Sequence, residues 1–263
     1  MRSAFVIALA LVAVLLTTGS TGQPPSETLR GSLAGEEVRL TTPGEGIEPK
    51  GLVIWFHGQG GNVNDRIDGP WLDALRREGY AIASSNFHAQ SWGNPASTRD
   101  ADLLVDWAEE KTGLPVTLWV SGSMGGSVSL NALIHGVKAP NCWYGVKPAI
   151  ALTEMDEVPG GPGFIFKAFA GQVPPDRNPV ANVASLPVSV RYRIVASRGD
   201  QWVIFKENAG PLSSGLRERG ADVTQLIVEG FHDDPSHFNA RDLVAYADSC
   251  LDEAPQEDSA QAG

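Results

Sequence analysis

Ser123 lies in the run Val116-Thr117-Leu118-Trp119-Val120-Ser121-Gly122-Ser123-Met124-Gly125-Gly126, where an apolar stretch gives way to a knot of small residues. A serine hydroxyl attacks a carbonyl only when a neighbouring base takes its proton. A sharp strand-to-helix turn would lift that hydroxyl clear of a sheet and set it at a helix N-terminus, and such a turn admits only small neighbours. Two imidazoles stand downstream, in Glu229-Gly230-Phe231-His232-Asp233-Asp234-Pro235-Ser236-His237-Phe238. Either His232 or His237 has the chemistry of a general base. Asp200, in Ser197-Arg198-Gly199-Asp200-Gln201-Trp202-Val203, offers a carboxylate to orient an imidazole. Asp156 is a second candidate for that role, and an Asx turn or helix cap would also account for an Asp at 200. His57-Gly58-Gln59-Gly60-Gly61 follows an apolar run and presents a glycine-rich stretch of backbone N–H groups.

These residues need elements to bring them together. Gly51–Phe56 is a continuous apolar run, the pattern of a strand buried on both faces, and Tyr80–Ser85 reads as another strand. Val38–Thr41, Val116–Val120, Pro148–Leu152, Ser189–Ala196 and Val223–Val228 read as further strands. Helices are expected over 70–79, 97–112, 125–135, 203–219 (broken or kinked near Gly210-Pro211) and 239–251. Pro70 opens the first of these and Gly79 closes it. Strands alternating with helices imply a largely parallel sheet covered on both faces. Thr153–Pro187, rich in Gly and Pro, is expected to form a small lid-like insertion.

With these residues in place, the chain resembles the α/β-hydrolase superfamily from about Val38 to Leu251. The superfamily's elbow, G-x-S-x-G, is matched by Ser121-Gly122-Ser123-Met124-Gly125, with Ser121 in place of the first Gly. The order Ser123, Asp200, His232 is the superfamily's order of nucleophile, acid and base. The resemblance favours Asp200 over Asp156, and His232 over His237 from its G-x-H placement. It also implies an oxyanion hole from the backbone N–H groups of Gln59 and Met124, with His57 as a brace. Carboxylic-ester hydrolysis through an acyl-enzyme is the implied activity, without metal or organic cofactor. Peptide or amide hydrolysis, as in prolyl-oligopeptidase-like domains, is the alternative within the fold. A noncatalytic binding protein on the same scaffold is the alternative outside it. Trp92 and Asn94, on the loop after Ser85, and Trp202 are expected to line the substrate pocket. Phe164, Phe166 and Phe169 are candidates for an apolar rim.

Composition narrows the partners. The 263 residues carry a formal net charge of -11, and no Lys/Arg cluster of the kind nucleic-acid binding requires is present. A small-molecule or polymeric ester is the expected partner. Arg2, an apolar run from Phe5 to Leu16 and a small polar stretch to Gly22 have the layout of a secretory signal peptide, with an uncleaved anchor as the alternative. The expected organisation is a signal or anchor over 1–22, a linker over 23–36, the hydrolase domain over 37–252 and a disordered tail over 253–263. After processing, no membrane span is expected, and the protein would act outside the cytoplasm. Cys142 and Cys250 are then either a disulfide or two separately buried thiols.

Overall fold

A computed structural model describes residues 26–44 and 46–251. The expected signal segment and tail lie outside the described residues. Among those described, no helix is long and apolar enough to cross a membrane.

Among the described residues, eight strands form one sheet in the order β1-β2-β4-β3-β5-β6-β7-β8. They are β1 (Ser26–Leu33), β2 (Glu36–Gly44), β3 (Gly51–Phe56), β4 (Tyr80–Ser85), β5 (Val116–Gly122), β6 (Cys142–Val146), β7 (Arg191–Ser197) and β8 (Val223–Val228). β1 and β2 run antiparallel at one edge, and every pairing from β4 to β8 is parallel. The described residues also form six helices: α1 (Pro70–Arg77), α2 (Pro95–Thr112), α3 (Gly125–Ile134), α4 (Gly161–Ala168), α5 (Ala209–Glu218) and α6 (Ala240–Ser249).

Strand alternation sorts the core into two layers. Leu52, Ile54 and Phe56 of β3 and Trp119 of β5 face one side, with Leu104, Val128 and Leu212 from α2, α3 and α5. Val53, Trp55, Leu118 and Val120 face the other, with Leu72 and Leu75 of α1 and Leu243 of α6. Each such side chain contributes about 1.5–3 kcal/mol by leaving water. Because both faces are covered, the central strands read as unbroken apolar runs rather than as alternating ones.

Three expectations are corrected. Ser26–Leu33, placed in a linker over 23–36, forms β1 and pairs with β2. The strand expected at Pro148–Leu152 lies earlier, at Cys142–Val146. Pro148 cannot donate to a ladder, and the segment behind it bonds to side chains instead: Asn208 Oδ1 accepts from the Ile150 and Ala151 amides, and Asn178 Oδ1 from Leu152. The helix expected from Val203 begins only at Ala209, so Pro211 sits in its first turn rather than at a kink. The 153–187 segment holds α4 and two short 3-10 turns. Cys142, at the start of β6, is disulfide-bonded to Cys250 after α6, which ties the sheet to its last helix.

Candidate active site

The parallel strands bring their C-terminal ends to one edge of the sheet, where open α/β sheets bind ligands. Residues following β3, β5, β6, β7 and β8 meet there.

Ser123 follows β5 with φ 49°, a left-handed value that is uncommon outside glycine. Its amide donates to Val146 O at 3.0 Å, and its carbonyl accepts from Gly126 and Ala149 at 2.8 and 3.0 Å. The neighbours must be small. A Cβ on Gly125 would stand 2.1 Å from Phe56 O, and one on Gly122 would stand 2.8 Å from the Trp55 ring. Ser121, the departure from the elbow pattern, is fully buried and donates to Ser129 Oγ at 2.8 Å. Ser129 also accepts from Trp143 Nε1 and donates to Gly126 O, so the extra hydroxyl joins a satisfied network beneath the turn.

His232, on the loop after β8, lies with Nε2 3.0 Å from Ser123 Oγ and Nδ1 2.8 Å from Asp200 Oδ2. Asp200 Oδ1 accepts from the amides of Trp202 and Val203 at 2.9 and 3.0 Å. The carboxylate therefore serves the loop and the imidazole at once. Burial pushes the Asp200 carboxyl up, but the His232 hydrogen bond and charge, with the two amides, outweigh it and hold the group below the usual carboxylate value. The Trp202 ring lies against the imidazole, with centroids 5.1 Å apart.

His237 is also fully buried, in a short 3-10 turn, and its Nδ1 lies 3.1 Å from Asp234 O. It makes no hydrogen bond to Ser123 or Asp200. Burial pushes its imidazole toward the neutral form. Asp156 is exposed and contacts neither histidine.

The loop after β3 supplies the opposite wall. His57 is buried, with ring nitrogens 2.9 Å from Gly58 O and Asn86 O, so it braces the loop. Among the described residues, neither the Gln59 nor the Met124 backbone N–H has a protein acceptor. Gln59 Nε2 donates to Pro159 O at 2.9 Å and so links this loop to the 153–187 segment.

Gln59, Ser123, His232 and Trp202 share one cleft of about 390 Å³ with Trp55, Arg66, Lys147, Val158 and Phe238. Trp202 lies on the wall of this cleft. Trp92 and Asn94 do not line this cleft. Trp92 has φ 50°, which turns its ring into a buried cluster against Met124 and Ala149. Asn94 caps α2 by accepting from the Ser97 amide and donates to Ala168 O. Phe164, on α4, lines a separate cleft beside Asn94, and Phe166 is exposed.

Lys147 was not foreseen. It directly follows β6, a strand the sequence does not announce, so its place at this sheet edge is hidden in the sequence. Its side chain is 5% exposed, and Nζ donates to His232 O at 2.5 Å and to Asp233 Oδ1 at 3.2 Å. Burial pushes this ammonium down, and Asp233 partly offsets that. It anchors the chain that carries the imidazole.

One group among the described residues has metal-ligand chemistry: Glu36, His88 and Asp100, with donor atoms within 4.8 Å of one another. His88 Nδ1 already contacts Asp100 Oδ2 at 2.6 Å, and the group lies outside the Ser123 cleft.

No protein-family model matches the sequence, and no curated sequence relative matches it. Solved structures do resemble it. Brefeldin A esterase, described as a bacterial homologue of human hormone-sensitive lipase, superposes with a TM-score of 0.68 at 17% identity, over 93% of this chain and 81% of that one. Est1E from Butyrivibrio proteoclasticus gives 0.66 at 14% identity, over 86% and 99%. A puromycin-hydrolyzing peptidase from Mycobacterium tuberculosis gives 0.68 at 17% identity, over 89% and 41%. At these identities the likeness is one of fold: the chain has the α/β-hydrolase fold.

Proposed function

We propose that this protein is a serine hydrolase that cleaves carboxylic esters through an acyl-enzyme. The observation that carries the reading is the continuous contact Ser123 Oγ–His232–Asp200, at 3.0 and 2.8 Å, on the wall of a cleft. His232 takes the Ser123 proton as the oxygen attacks the ester carbonyl. Asp200 orients the imidazole and stabilises its charged form. The Gln59 and Met124 N–H groups hold the developing oxyanion, each worth about 3 kcal/mol. The ester C–O bond then breaks, and His232 returns the proton to the departing alkoxide. Water, deprotonated by the same imidazole, attacks the acyl carbon; the acyl–Oγ bond breaks, the acid departs, and His232 gives the proton back to Ser123 Oγ. Esterases among the structures of like fold support ester as the bond cleaved. The resemblance to a peptidase keeps amide hydrolysis as the second reading.

The Cys142–Cys250 disulfide supports an oxidising location, consistent with the export expected from the N-terminal residues.

The test is hydrolysis of p-nitrophenyl acyl esters and aminoacyl p-nitroanilides by the wild type and Ser123→Ala. Turnover of the esters that Ser123→Ala abolishes is the expected result. Turnover of the anilides alone would move the assignment to peptidase, and no Ser123-dependent turnover of either would refute it.

A further inference from the structure

The cleft carries charge that ester cleavage does not use. Arg66 stands on the loop after β3 with φ 58°, a left-handed value that a long side chain rarely adopts. Its guanidinium carbon lies 4.0 Å over the Phe238 ring. Lys147 Nζ lies 5.3 Å from the same ring centroid. Two cations thus bracket one aromatic side chain on the wall of the cleft that holds Ser123. This occurs in a chain whose formal net charge is -11.

The two cations differ in what they have left to give. The Lys147 ammonium is committed to the His232 carbonyl and to Asp233. Arg66 makes no ion pair and no side-chain hydrogen bond among the described residues. Arg30, Arg39, Arg76, Arg191 and Arg193 each have a carboxylate partner; Arg198, which lies over Phe205, has none among the described residues, but it does not line the Ser123 cleft as Arg66 does. Asp65, next to Arg66 in the chain, also lines the cleft but forms no ion pair with it. Its Oδ2 is turned toward Gly61, 3.0 Å from where a Cβ on that residue would stand. Contact with a ring face leaves the in-plane N–H donors of a guanidinium unspent, and these match the two oxygens of a carboxylate.

We propose that Arg66 makes this cleft selective for esters that also bear a carboxylate, which the guanidinium holds while Ser123 attacks the ester carbonyl. The inference rests on the hydrolase reading and adds the class of substrate. The carboxylate itself is not transformed. Arg66 is an exposed residue on the cleft wall, and a bidentate charge-assisted pair there is expected to favour the anionic substrate by about 10-fold.

The test compares two substrate pairs on the full chain. p-Nitrophenyl hydrogen glutarate against its methyl-capped diester places the charge on the acyl side. p-Acetoxybenzoate against its methyl ester places it on the alcohol side. The readout is the ratio of kcat/KM within each pair, for the wild type, Arg66→Gln and Arg66→Lys. A preference for the anionic member of at least one pair is expected. Arg66→Gln should lower that ratio about tenfold, and Arg66→Lys should retain part of it as a point charge without the fork. No preference in either pair, or a preference that survives Arg66→Gln, would overturn the proposal. Turnover of the neutral esters without charge preference leaves the hydrolase reading standing while this one falls. Should neither type be turned over, calorimetry of glutarate binding decides the matter. Binding weakened about tenfold by Arg66→Gln would support the anion site, and binding that is absent or unaffected would refute it.

Discussion

Every proton in the proposed reaction passes through one imidazole, and the segment after β8 offers two. Only His232 bridges Ser123 and Asp200. His232→Ala should therefore lower kcat by about 10³-fold or more, while His237→Ala stays within about tenfold of the wild type in steady-state ester hydrolysis. Loss of turnover with His237→Ala alone would contradict the assignment. Asp200 has a consequence for stability as well. Its folded-state value lies below the unfolded value of about 3.9. The stability it adds is then complete above that pH and is lost as pH falls through the folded-state value. In urea titrations, the deficit of Asp200→Asn should be constant from about pH 7 to pH 5 and should shrink below about pH 3.9. A deficit that widens in acid would contradict it.

The element that makes the nucleophile possible is the β5–α3 turn, and its tolerance is set by backbone contact. A methyl on Gly125 would fall 2.1 Å from Phe56 O, and a carbonyl in a packed strand cannot move aside. Gly125→Ala should cost about 2 kcal/mol or more in urea unfolding and lower activity with it. An unchanged midpoint would show that the turn has room that the geometry denies. How legible the elements were depended on what decides them. β3 and β4 were readable to the residue, because a short run of mostly apolar residues between a helix or loop signal on each side has few alternatives. β6 was misplaced because Pro148–Leu152 is as apolar as Cys142–Val146. The choice between them falls to Pro148 and to Asn208, some 60 residues further along. β1 went unread because Ser26–Leu33 is an edge strand of mixed polarity that only its pairing with β2 defines. The candidate site was legible in its order, Ser123, Asp200, His232, since chain order survives without coordinates. Trp92 was misread because a left-handed φ, invisible in sequence, decides which way a side chain after a strand points.

At the scale of the whole molecule, one sheet edge gathers the chemistry and one covalent link closes the chain around it. The Cys142–Cys250 bond joins residues 108 positions apart. A loop of that length loses much of its freedom in the unfolded chain, so reduction should cost about 2–5 kcal/mol. Urea midpoints measured with and without reductant would show this; an unchanged midpoint with both thiols demonstrably free would contradict it. That Arg66 and Lys147 reach one cleft is likewise a property of the whole, legible only once the ends of β3 and β6 are seen to flank β5 at the same sheet edge. An activated Ser123 is best tested by covalent capture. A fluorophosphonate probe, followed by peptide mapping of the adduct, should modify Ser123 of the folded wild type. Labelling should be absent in Ser123→Ala and strongly slowed in His232→Ala. A well-folded wild type that takes up no probe, or takes it up at another residue, would contradict the account.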